Sequence, residues 1–196
     1  MNATDLSADL GLVAVGTVTA NLLVGCLMAM RYSPWRCWPH RKFDVFRLHR
    51  CTGYMSLAVV ILHPLPLLFS TTHFRLVDIL YPVHSPSQPF QNSIGAIALY
   101  CVVIVVTTSY FRLCLGRRIW KAFHYVIYVG GVALFWHSIF TDPSLKKMPV
   151  DPFDGEKVFI EACCVLIVAL GVLRWRYAMR KINIRTRTIE ISEKAA

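Results

Sequence analysis

Charge is what this chain has least of. Only 16% of its 196 residues are Asp, Glu, Lys or Arg, against about 25% in ordinary soluble domains. The shortage is uneven and leaves long stretches with no charge, while 56% of the residues are hydrophobic. That pattern excludes a water-soluble fold with a polar surface. It also excludes a nucleic-acid binder, in spite of a formal net charge of +10. Motifs are missing as well. The seven cysteines form neither C-x-x-C nor C-x-x-C-H, so thiol-redox and covalent haem-attachment signatures are absent. Most of them lie in apolar runs, where free cysteine behaves as a small hydrophobe rather than part of a disulfide framework. No Gly-rich dinucleotide fingerprint occurs, and no internal repeat or low-complexity segment. The first apolar run is too long for the core of a signal peptide and has no basic flank before it, so no cleavable leader is expected.

What the chain does have is a set of apolar runs of about 20 residues, the length a helix needs to cross a bilayer. They fall at about Leu10 to Met30, Phe43 to Phe69, Ser93 to Leu115, Ile119 to Phe140 and Val158 to Tyr177. The fold expected is an all-α membrane protein, a bundle of about five transmembrane helices. Pro64 and Pro66 should bend or end the second of them. Arg31, Arg36, Arg41, Lys42 and Arg47 follow the first span. Arg112, Arg117, Arg118 and Lys121 join the third to the fourth, and Arg174, Arg176, Arg180, Lys181, Arg185 and Arg187 close the chain. The remaining connections carry only Arg75 in one, and Lys146, Lys147 and Lys157 beside acids in the other. Basic loops stay cytoplasmic, so the N-terminus is expected outside and the C-terminus inside. The expected location is a bacterial inner (plasma) membrane, with the lipid bilayer as the chain's surroundings. Trp35, Trp38 and Trp120 fall at the basic boundary, where an aromatic belt belongs. Residues 1–181 read as the membrane domain and 182–196 as a basic cytoplasmic tail. In that tail the alternation from Ile182 to Ile191 suits either a short strand or a disordered segment.

Of the seven histidines, His40, His73 and His84 fall in loops, while His49, His63, His124 and His137 lie inside the second and fourth spans. An ionisable residue at membrane depth is costly and marks function by default. A single buried histidine often only bonds to a neighbouring helix, but two pairs at nearly equal spacing are harder to read that way. His49 and His63 are 14 residues apart, and His124 and His137 are 13 apart, which is about 20 Å along a helix. The two spans run in the same direction. His49 and His124 therefore share one depth and His63 and His137 the other. Imidazole suits iron, so one histidine from each helix supplies each of two b-type haems with two axial ligands, held between the second and fourth helices. One detail resists an ideal helix: 14 residues bring two side chains to within about 40° of each other, whereas 13 leave them about 140° apart. The fourth span is expected to twist or bend. Gly130 and Gly131 are the expected place for that irregularity, or else room for a porphyrin face.

At these residues the chain resembles a known family. RLHRCTGYMSLAVVILH, ending at His63, and GRRIWKAFHYVIYVGGVALFWH, ending at His137, resemble the two haem helices of the ferric reductase-like transmembrane domain. That superfamily includes NADPH oxidases, ferric reductases and the haem-binding membrane subunit of the bacterial methionine sulfoxide reductase system. The resemblance covers about residues 45 to 178. It implies His49, His63, His124 and His137 as iron ligands of two haems b. Propionates need cations, and Arg50 and Arg118 are candidates, with Arg47, Arg117 and Lys121 beside them and Arg75 at the other end; the same residues serve equally as topology anchors. Two departures shape the functional expectation. Family members often have six spans, and catalytic members continue into FAD- and NAD(P)H-binding domains, for which no motif follows Tyr177. Any flavin is thus expected from a partner.

The expected function is a transmembrane di-haem cytochrome b. It would carry electrons from a cytoplasmic donor, a flavoprotein or a quinol, to an external acceptor. The chain would be the electron-transfer subunit of an oxidoreductase of the ferric reductase or sulfoxide reductase type, with no catalytic side chain assigned to it. Leu67, one turn beyond His63, stands where a further histidine would favour the oxygen-reducing site of NADPH oxidases. Two other readings use the same residues. A respiratory-type cytochrome b linked to quinone has similar pairs but is longer and carries a Pro-Glu-Trp-Tyr loop missing here. A non-catalytic membrane protein would keep the histidines for structure, and lack of b-type absorbance in membranes would identify it.

Overall fold

The computed structural model describes residues 2–30, 44–71, 74–145 and 154–194. All regular elements among them are helical: α1 (Ala3–Ala29), α2 (Val45–Leu62), α3 (Leu76–Leu80), α4 (Pro89–Tyr110), α5 (Arg112–His124), α6 (Val126–Leu145) and α7 (Gly155–Lys194). Two short 3-10 turns, Leu65–Phe69 and Pro82–His84, complete the order. Five stretches are long and apolar enough to cross a bilayer: Ala3–Ala29, Val45–Phe69, Pro89–Tyr110, Arg112–Thr141 and Gly155–Ile182. The integral membrane bundle expected from composition is present. His40, His73, Trp35, Trp38, Arg31, Arg36, Arg41, Lys42, Lys146 and Lys147 lie outside the described residues.

Local chemistry sets the ends that matter. The Asp44 carboxylate accepts from the backbone N–H of Phe46 at 3.0 Å and of Arg47 at 3.2 Å, satisfying two donors that the first turn of α2 leaves unpaired. The α2 helix stops at His63 because Pro64 and Pro66 have no amide hydrogen to continue it, and the chain tightens into the 3-10 turn Leu65–Phe69. Pro89 opens α4, where its fixed φ suits a first helical position. Gly116, at φ +73°, interrupts α5 in a conformation that side chains with a Cβ rarely adopt.

The five crossing helices alternate in direction. Ser7, early in α1, meets His63 at the end of α2, and Gly25, late in α1, meets His49 near the start of α2. Between those levels the bundle is closed by small and branched residues. Ala14, Val18 and Val60 pack together with Leu22, Val59, Leu99 and Leu134, and Val15, Phe135 and Ile160 form a second cluster beside them. The outward faces are apolar too: Val129, Val132 and Trp136 of α6 and Val165, Val168 and Trp175 of α7 are all exposed. Such a surface is unfavourable in water and matches lipid.

One expectation is met and two are corrected. The fourth span is interrupted as expected: α5 ends at His124, Tyr125 intervenes and α6 begins at Val126. The Tyr125 N–H is shared between the Lys121 and Ala122 carbonyls, both at 3.2 Å, and Tyr128 N–H returns to Tyr125 O at 3.1 Å, which is tightened 3-10 geometry. The irregularity thus lies beside His124 and not at Gly130 or Gly131. Gly130 serves close packing instead: a Cβ there would sit 2.7 Å from Cys101 Cβ, so the missing side chain lets α6 approach α4. The tail from Ile182 is neither strand nor irregular, since α7 runs unbroken to Lys194. Extending an existing helix avoids the cost of a new nucleus, and that outweighs a weak alternation. The 40 residues of α7 span about 60 Å, more than the roughly 40–45 Å of a bilayer with its headgroups.

Candidate functional site

The histidines of α2 face those of α5 and α6 in two pairs. His49 and His124 have ring centres 6.2 Å apart with planes at 71°. His63 and His137 have ring centres 6.3 Å apart, again at 71°. The interruption at Tyr125 explains how both rings of the fourth span reach α2, although 13 residues of ideal helix would turn one of them away. A metal–imidazole bond of about 2 Å on each side, with roughly an ångström more from each nitrogen to its ring centre, separates two such rings by about 6 Å. Both gaps fit one iron atom. No group of three or more His, Cys, Asp or Glu side chains able to hold a metal is found among the described residues, so paired histidines are the arrangement available for that role.

The ring nitrogens are oriented from behind. His63 Nδ1 lies 2.7 Å from the Ser7 carbonyl oxygen, and the Ser7 hydroxyl returns a bond to the His63 carbonyl at 2.9 Å. His137 Nδ1 lies 2.9 Å from the Gln91 carbonyl, with Thr141 Oγ1 at 3.1 Å. A carbonyl can only accept, so these two rings carry their proton on Nδ1 and leave Nε2 as the ligand atom, the usual arrangement behind metal-binding histidine. His124 Nδ1 is 3.3 Å from Ser109 Oγ, which also accepts from Trp120 Nε1 at 3.3 Å. The Trp120 ring lies 5.1 Å from that of His124. His49 differs, because its Nδ1 is buried without a hydrogen-bond partner among the described residues. Its backbone is held instead: the Asn21 amide donates to His49 O at 2.6 Å and to Thr52 Oγ1 at 2.8 Å.

Small residues on α1 and α4 make the space for these rings. A Cβ at Gly11 would come within 3.0 Å of His63 Cε1, one at Gly25 within 3.1 Å of His49 Cε1, and one at Gly95 within 2.9 Å of His137. The fourth ring meets Ser109. Gly11 and Gly25 are 14 residues apart, and so are Gly95 and Ser109. Sequence reasoning missed all four, although their spacing repeats that of His49 and His63 and was there to be read. The His63/His137 gap opens into a cavity of about 290 Å³ lined also by Gly11, Leu67, Asn92 and Gly95.

The candidate cations are at the surface. Arg50 and Arg118 are exposed, as are Arg47, Arg117 and Lys121. Lys121 lies over the Tyr125 ring at 5.7 Å, and Arg112 over the Phe46 ring at 4.6 Å. Arg112 is half-buried, and so is Arg174, which stacks over the Tyr128 ring at 5.5 Å and donates to the Tyr128 hydroxyl.

A membrane-spanning helical bundle with facing histidine pairs at two depths is the class that fold and site define. Residues 10–135 match the family described as ferric reductase like transmembrane component, and the chain belongs to that family. The matched segment includes His49, His63 and His124 and ends two residues before His137. No curated protein and no solved structure matches the chain. Family membership points to a membrane component of electron transfer, in a family whose domains bind haem.

Proposed function

We propose that the chain is a transmembrane di-haem cytochrome b that carries electrons from a cytoplasmic donor, a reduced flavoprotein or a quinol, to an acceptor outside. The observation that carries this reading is the pair of matched gaps, 6.2 and 6.3 Å between ring centres, each backed by a glycine or serine on a neighbouring helix. His49 and His124 would hold one haem by their ring nitrogens, and His63 and His137 the other. Bound there, haem iron supplies one-electron redox chemistry at two depths of the bilayer. A histidine on each side of the group would suit a carrier rather than an oxygen-binding site. The remaining work of the protein is placement. The Ser7 and Gln91 carbonyls fix the tautomer at one end, while Ser109 and Trp120 orient His124 at the other. The core around Val15, Val60 and Phe135 sets apolar side chains between the two levels.

Flavin and nicotinamide chemistry is assigned to a partner protein. The described basic residues Arg47, Arg50, Arg112, Arg117, Arg118 and Lys121 lie at the His49/His124 end of the bundle, and so do Arg174 and the cations after it on α7. That end is taken as cytoplasmic on the charge rule. A positive surface there steers an acidic donor and speeds encounter, an effect that salt weakens.

Pyridine haemochrome assay of purified protein should give about two haems b per chain, with a low-spin reduced-minus-oxidised spectrum. No bound haem would sink the proposal in favour of structural histidines. In inside-out vesicles NADH alone should leave the spectrum unchanged, and adding a flavin reductase should reduce it at a rate that falls with ionic strength. Direct reduction by NADH in partner-free vesicles would reject the division of labour.

A further inference from the structure

The crossing segment of α7, Gly155–Ile182, contains an arginine well before its end. Ile160 of α7 lines the cavity that holds His63 and His137. Arg174 follows it by 14 residues, or about 21 Å along the helix, which is the axial step from His63 to His49. Arg174 therefore lies at the depth of the His49/His124 pair. It also faces that pair. Its guanidinium donates to the Tyr128 hydroxyl and stacks on the Tyr128 ring, and it lies near Cys26. Tyr128 is one turn beyond His124, and Cys26 is next to Gly25, the residue on which the His49 ring rests.

An arginine in an apolar span is costly unless it is paired. The partners of Arg174 among the described residues are a phenol and an aromatic face, neither of which neutralises it. Of the other basic side chains near this end, Arg47, Arg50, Arg117, Arg118 and Lys121 are exposed, and Arg112 is half-buried against the Phe46 ring. Arg176, Arg180 and Lys181 on α7 are exposed as well. Arg174 is thus half-buried near the histidine pair, and no negative partner for it is found among the described residues.

We propose that Arg174 is the anion-holding residue of the His49/His124 site, where it binds a carboxylate of the haem held between those histidines. The inference rests on the function proposed above. Tyr128 orients the planar guanidinium, leaving its remaining N–H groups for the bidentate geometry that suits a carboxylate. A fixed positive charge favours the reduced, more electron-rich state of a nearby redox group, so Arg174 holds this site at a higher potential than it would otherwise have.

The test is a potentiometric titration of the two spectral components in the purified protein, wild type against Arg174→Gln, Arg174→Lys and Arg176→Gln. Arg174→Gln should move the component that His49→Ala removes to a lower potential, by on the order of tenfold in its reduction equilibrium. The component that His63→Ala removes should stay in place. Arg174→Lys should restore most of the loss. Arg176→Gln removes the same charge from an exposed neighbour and should move neither component. If Arg174→Gln does not assemble, Tyr128→Phe keeps the charge and frees its orientation, and a smaller shift of the same component is expected. Two haems at unchanged potentials in whichever of these two variants assembles would overturn the role of Arg174 alone. A wild type without haem would instead remove the function on which it rests.

Discussion

At one end of the bundle, His63 and His137 are fixed by main-chain carbonyls and enclosed in a cavity. At the other, His124 leans on a side-chain hydroxyl, His49 Nδ1 finds no partner among the described residues, and an arginine stands close by. The ring separations are nearly the same at both ends, so the difference lies behind the rings and not between them. A carbonyl partner survives any side-chain change at its own residue, whereas a hydroxyl partner does not. The His63/His137 end is therefore built for rigidity. The His49/His124 end is held by replaceable groups and carries the charge that tunes it.

The largest expected effect tests whether the ends are separate sites. His63→Ala and His137→Ala should each abolish the same spectral component and lower the haem content from about two to about one per chain. His49→Ala and His124→Ala should each remove the other component. A His63 change and a His124 change that erased one and the same component would show that the pairs are wrongly drawn.

A second, smaller effect concerns the glycines behind the rings. Gly95→Ala places a Cβ at 2.9 Å from His137, and overpacking of this kind costs about 1–3 kcal/mol. Titration of the apoprotein with haem should show the His63/His137 site weakened roughly tenfold or more, with the other site unchanged. Gly25→Ala, at 3.1 Å from His49, should do the same at the opposite end. Equal weakening of both sites by either change would mean that the glycines act on the bundle as a whole.

The smallest effects sharpen the contrast between carbonyl and hydroxyl. Ser109→Ala removes the hydroxyl shared by His124 and Trp120, and outer-shell changes of this kind cost about 10–100-fold in metal affinity. With solvent near the His124 ring, the low end of that range is expected, read as faster haem loss from that site to an acceptor protein. Gln91→Ala keeps the carbonyl that meets His137 Nδ1 and should leave the loss rate within about twofold, as surface-type changes do. A Gln91→Ala effect as large as that of Ser109→Ala would erase the distinction between the two ends.

Much of this was readable before any coordinates. Five spans, the place where Pro64 ends α2, and the depths of the four histidines follow from apolar run length and from a rise of about 1.5 Å per residue. Local sequence controls each of those quantities. The expected helical irregularity was real, but its position was misjudged, because Gly130 looked permissive while its actual task is contact with Cys101. The alternation after Ile182 misled for a related reason: a helix that is already formed carries weak β signals along with it.

The sequence by itself therefore determined which residues lie at which depth. Only the tertiary structure decided which way they point and what they meet. The tightened turn at Tyr125 swings both fourth-span rings toward α2. Close approach of α1 and α4 puts Gly11, Gly25, Gly95 and Ser109 behind the histidines. Packing of α7 against α1 and α6 turns Arg174 inward, while Arg50 and Arg118, nearer to the histidines along the chain, face outward. Depth is a property of one helix and accumulates along its own backbone. Azimuth and neighbours are properties of five helices packed together, and a small local break is enough to redirect every side chain beyond it.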